Sequence, residues 1–114
     1  MLNRMYPDKT AGYVYLITIG DGFCKIGRSR NLPERCRIID SASPFPTELL
    51  GAISAHNARS TERRWHENFQ HKCVRKEWYM LDAEDIEQFL DCAAWSGPDF
   101  EPFYTEEDTD WQNA

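Results

Sequence analysis

The 114-residue sequence has no apolar run approaching the roughly 18 residues a membrane-spanning helix needs, and its first residues lack the apolar segment of a signal peptide. A soluble, cytoplasmic protein with no membrane partner is expected. Closely spaced cysteine pairs are absent: Cys24, Cys36, Cys73 and Cys92 are widely spaced and form no C-x-x-C pair, so reduced thiols are expected rather than disulfides. There is no internal repeat, and the chain is too short for two cores, which leaves one domain and one small site. Lys and Arg are missing altogether from residues 96–114, where six acids stand.

That last absence changes how the net charge of −6 is read. Without the acidic end, residues 1–95 carry 13 acids and 13 bases and are formally neutral. Residues 24–76 hold eleven bases against five acids, a local excess of +6. A basic middle between acidic ends fits either an ordinary solvated surface or a polyanion-binding one.

Residues 1–10 are polar and irregular and read as a flexible lead-in. YVYLITI (13–19), the Gly20-Asp21-Gly22 turn and FCKIG (23–27) predict a β-hairpin. A helix is expected over about 31–41: Asn31 caps it, Pro33 lies in its first turn, and Glu34 follows the cap by three residues. TELLGAIS (47–54) predicts a third strand, 58–71 a second helix and EWYML (77–81) a short extended run. Asp82 with Asp85 opens a third helix to about Trp95, with Ile86, Phe89, Leu90 and Ala93 facing the core. The expected fold is a small single α/β domain over residues 11–95, a three-stranded, mostly antiparallel sheet (hairpin plus third strand) flanked by helices. Residues 96–114, where Phe100, Phe103, Tyr104 and Trp111 stand among the acids, are expected to form a tail outside it.

Two charges point the wrong way for a plain core. On the first helix the apolar face runs Leu32, Cys36, Ile39, and Arg35 falls on it. On the second, Glu62 shares a face with Trp65, His66 and Phe69. An unpaired buried carboxylate costs several kcal/mol, so Glu62 needs Arg35, His66 or a bound cation as partner. Tyr13 and Tyr15 lie on one face of a strand, and the hairpin brings Lys25 close to it. A phenol, an ammonium, a guanidinium and a carboxylate together suit phosphodiester hydrolysis: the carboxylate holds a divalent cation, the cations offset charge, and a further group orients water.

YVYLI, KIGRS, Arg35 on the following helix, and TERRWHENF followed by EWYML resemble the GIY-YIG nuclease superfamily over about residues 11–82. The likeness is to its phage and bacterial branch, whose second motif reads K-I-G and whose later helix carries E-x-x-x-H-x-x-F. The resemblance implies a DNA endonuclease in which Tyr15 helps activate water and Lys25 and Arg35 contact the phosphate. It further implies that Glu62 ligates Mg2+ or Mn2+ and that Gly27 lets the chain turn toward the first helix. Tyr13 stands where a motif glycine is expected and is the alternative phenol, and His66 either hydrogen-bonds Glu62 or touches substrate. Three other readings stay open. One is a catalytically inactive module of this fold that binds nucleic acid or a protein. Another is a zinc site drawing on His66, His71 and Cys73. The third is a tail that imitates nucleic acid in a basic groove. A separate DNA-binding partner protein would supply affinity this small domain lacks.

Overall fold

The computed structural model describes residues 11–93 and 95–96. The lead-in of residues 1–10 and the tail from residue 97 onward lie outside the described residues.

The architecture is built on β1 (Gly12–Gly20), β2 (Phe23–Ser29), α1 (Leu32–Ala42), β3 (Glu48–Ala55) and α2 (Ala58–Asn68). A 3-10 turn (Gln70–Lys72) leads into β4 (Cys73–Arg75), β5 (Trp78–Met80), α3 (Ala83–Cys92) and β6 (Trp95–Ser96). The strands form one antiparallel sheet in the order β4-β5-β2-β1-β3-β6. The small α/β domain and its antiparallel sheet match expectation, but the count of three strands does not: the sheet has six strands, of which the edge strand β6 holds two residues. β5 falls within the short extended run expected over 77–81. β4 and β6 hold three and two residues, and β4 is exposed throughout, so neither length nor alternation of polarity could disclose those two.

β1 is central, paired with β2 on one side and β3 on the other. Both its faces are covered, which is why Tyr13 through Ile17 are all buried and the strand reads as continuously apolar. Asp21 and Gly22 both adopt positive φ, the geometry a two-residue hairpin turn requires. On one face Tyr13, Tyr15 and Ile17 pack with Leu32 and Ile39 of α1. On the other, Val14, Leu16, Cys24 and Ile26 pack with Ala58 of α2, Phe69 beyond it and Phe89 of α3. Trp65 bridges the second core, its ring centroid 5.0 Å from Phe89 and 5.6 Å from Phe69.

The helix caps follow the sequence. Asn31 accepts from the Glu34 backbone N–H, Asn57 from that of Ser60, and Asp82 with Asp85 forms a reciprocal capping box. The second helix ends earlier than 71 because the chain tightens into the 3-10 turn after Phe69. The third ends at Cys92 rather than Trp95: Ala93 is already extended, and Trp95 pairs with Ala52 as a strand residue. All four cysteines are free thiols. Among the described residues no helix is long and apolar enough to cross a membrane.

Candidate active site

The pairing of β2 with β5 ends at Lys25–Trp78, followed by one bond from the Ile26 N–H to the Glu77 carbonyl. Past that point β2 continues to Ser29 without β5 beside it. Side chains from the two faces of the sheet therefore meet around this edge. Tyr15 and Lys25 come from the α1 face, Arg35 from α1 itself, Glu62 from α2 on the opposite face, Arg28 from the opposite side of β2, and Glu77 from the turn before β5. These six line a polar cavity of about 240 Å3.

Two ion pairs organise it. Arg28 Nη1 donates to Glu62 Oε1 at 2.6 Å, and Lys25 Nζ donates to Glu77 Oε1 at 2.8 Å. Glu62 is 6% exposed and sits in α2 one turn before His66. The His66 Nε2 lies 2.9 Å from the Ile26 carbonyl oxygen and 3.9 Å from Glu62 Oε2. A carbonyl only accepts, so this nitrogen carries the proton and His66 braces α2 against β2, its ring stacked on Tyr79. Lys25 also lies 5.7 Å from the centre of the Trp78 ring.

Tyr15 lies against β2 at its cross-strand partner Gly27. A Cβ on Gly27 would fall inside the van der Waals envelope of the Tyr15 Oη and Cζ atoms. The glycine thus serves close approach of the phenol within a strand, not the turn toward the first helix that the resemblance implied. Burial pushes the Tyr15 hydroxyl well above its ordinary range, an effect that Arg35 opposes and Glu77 and Glu62 reinforce. Tyr15 is accordingly a neutral phenol at physiological pH.

Of the residues singled out in the sequence, the fold brings Tyr15, Lys25, Arg35 and Glu62 together at one cavity, with His66 behind Glu62. Tyr13 is buried beside Tyr15 in the α1-side core and does not line the cavity. Arg35 is exposed at the cavity mouth rather than turned into the core, and the guanidinium bonded to Glu62 belongs to Arg28. Arg28 and Glu77 were missed. Arg28 stands three residues from Lys25, hence on the opposite strand face, and only the ending of β5 reunites them. Glu77 opens the extended run expected over 77–81, but no local pattern places that run beside β2. Among the described residues, the group able to offer three metal-ligand atoms is Glu62, His66 and Glu77, whose atoms lie within 4.8 Å of one another. It includes neither His71 nor Cys73, both exposed, which removes the basis of the zinc reading.

The fold and site define a small α/β domain with a charge-lined cavity at the end of a sheet pairing. The chain belongs to the T5orf172 domain family, whose model matches residues 12–94. This corrects the resemblance drawn from the motifs: the matching family is a different one from GIY-YIG, and no GIY-YIG model matches. The membership suggests a nucleic-acid-related function and lends no support to GIY-YIG-type catalysis. No curated protein and no solved structure matches the chain significantly.

Proposed function

We propose that residues 11–95 form a metal-dependent endonuclease domain that hydrolyses phosphodiester bonds of DNA. The observation that carries this reading is the cavity itself: three cationic side chains, two carboxylates and a neutral phenol, drawn from five separate stretches of chain, face one volume of about 240 Å3. A packed core has no use for that set, and a phosphodiester undergoing attack has a use for each member. A second cavity of about 520 Å3 shares Arg28 and adds Arg30 and Arg59, which extends the cationic surface along a polyanion.

The donor set fits a hard divalent cation. Glu62 and Glu77 offer carboxylate oxygens, which Mg2+ and Mn2+ prefer, whereas the His66 nitrogen nearest them is committed to the Ile26 carbonyl. The two carboxylates would hold the ion, which when bound neutralises charge on the phosphate and on the departing oxygen. Arg28 and Lys25, now paired with those carboxylates, would then turn to the phosphate oxygens, and Arg35 at the mouth would meet the incoming strand. Tyr15 orients the attacking water through its hydroxyl. As a neutral phenol it does not remove the proton, which would pass to solvent or to a carboxylate oxygen that the ion leaves free.

A module that binds nucleic acid without cutting it is the second reading, favoured by the fact that both carboxylates already have cationic partners. Incubating supercoiled plasmid with the protein in Mg2+ or in EDTA separates the two. Nicking that needs the ion and disappears in Glu62→Gln supports the nuclease; retention of plasmid on the protein with no nicking in either condition supports the binding module.

A further inference from the structure

Beside the charged cavity, and sharing Lys25 and Arg35 with it, runs an apolar groove of about 590 Å3 between α1, the loop after it and the β4–β5 hairpin. Among the described residues, three of the four large hydrophobic side chains most open to solvent, Ile38, Phe45 and Val74, line this groove. Chance scatter of surface hydrophobes does not gather them in one place. Its floor is aromatic: Phe23 and Trp78 meet edge to face with centroids 5.9 Å apart. Cations rim it, with Lys25 and Arg35 at the end that opens on the cavity and Arg75 on the hairpin.

Resting on the nuclease reading, we propose that this groove takes an unpaired base of single-stranded DNA flanking the phosphate held in the cavity. The occupant must be flat and apolar on its face, anionic at the end toward Lys25 and Arg35, and continuous with a phosphodiester. A stacked nucleotide meets all three demands, and aromatic platforms with cationic rims are how single strands are held without sequence preference. The volume lies within the roughly 300–1,000 Å3 of sites that hold small ring systems. The one neutral hydroxyl of the lining, Ser43, is already bonded to the Phe45 backbone, so the groove presents no uncharged side-chain hydroxyl dedicated to a ribose 2′-hydroxyl. The substrate is therefore DNA with an unpaired stretch at the cleavage position, and blunt duplex is a poor one.

Fluorescence anisotropy in EDTA tests this with labelled oligonucleotides of equal length as single-stranded DNA, blunt duplex DNA and single-stranded RNA. The intact chain is expected to bind single-stranded DNA on the order of tenfold tighter than the duplex. Trp78→Ala and Phe45→Ala should each erase most of that preference while leaving duplex affinity unchanged. Phe45 is 58% exposed, so its variant keeps the fold even if Trp78→Ala does not. Equal binding of single strand and duplex by the parent, a preference untouched in Phe45→Ala, or tighter binding of the RNA would each overturn the proposal. So would a dimer in sedimentation velocity that Phe45→Ala dissolves with DNA binding unmoved, which would assign the groove to a second copy of the chain. The two proposals fail separately. Single-strand preference without ion-dependent nicking keeps the groove and removes the nuclease, and nicking without the preference does the reverse.

Discussion

Replacing Glu62 by Gln keeps the side chain's shape and removes its charge, and the structure allows both consequences to be sized. The carboxylate is almost wholly buried, and its Arg28 partner at 2.6 Å is 46% exposed. Gross attraction at that distance is about 6 kcal/mol at an effective dielectric of ~20 and about 1.6 kcal/mol in bulk water. Solvent around Arg28 places the pair toward the lower figure, and relief of the carboxylate's desolvation offsets part of it, so the net loss of stability is about 1 kcal/mol. In urea that is a fall in midpoint of about 0.5 M for a domain of this size. The rate of ion-dependent plasmid nicking should drop far more, by a factor on the order of 100 to 1,000, because a charge placed for the transition state is gone. Nicking within about threefold of the parent would refute the assignment of Glu62 to the chemistry. A stability loss above about 3 kcal/mol, as expected when a core pair is broken, would make the Arg28–Glu62 pair a structural element instead.

Gly27→Ala is expected to destabilise by about 1–3 kcal/mol, because the new methyl group and the Tyr15 phenol claim the same space; an unchanged urea midpoint would contradict the close approach. Phe89→Ala should cost about 3–5 kcal/mol, since Phe89 is fully buried against Trp65, and a thermal melt would register it. Burial raises the hydroxyls of Tyr15 and Tyr79 above the ordinary value near 10, that of Tyr79 to about 12. Neutral phenols are favoured in the folded chain, so their contribution to stability is complete below about pH 10 and is lost as pH rises from there through 12. Urea midpoints should stay level across the tyrosine range until about pH 10 and fall above it, and a midpoint that rises there would contradict the burial.

Much of the scaffold could be read from the residues. The Asp21-Gly22 turn, the Asn31 and Asp82 caps and the dense apolar β1 each have local causes, and each appears where the sequence put it. Tyr15, Lys25, Arg35 and Glu62 could be nominated because each is a charged or phenolic group on a face otherwise given to packing. Arg35 misled in its direction: helical spacing sets a face, but a long guanidinium reaches past its own face to the rim, where the structure has it exposed. Arg28 and Glu77 were hidden for a different reason. Their place depends on where β5 stops pairing with β2, and no pattern in a three-residue strand encodes an endpoint. The family resemblance failed at a third level, since short motifs in a familiar order were shared with a family to which the chain does not belong.

The six cavity residues span positions 15 to 77, and none of the elements they come from holds a complete set. A partly folded chain, even one with its hairpin and helices formed, therefore owns no half-working version of the site. Helix signal alone is no measure of a complete site: only a chain with β5 paired to β2 brings all six side chains to one volume.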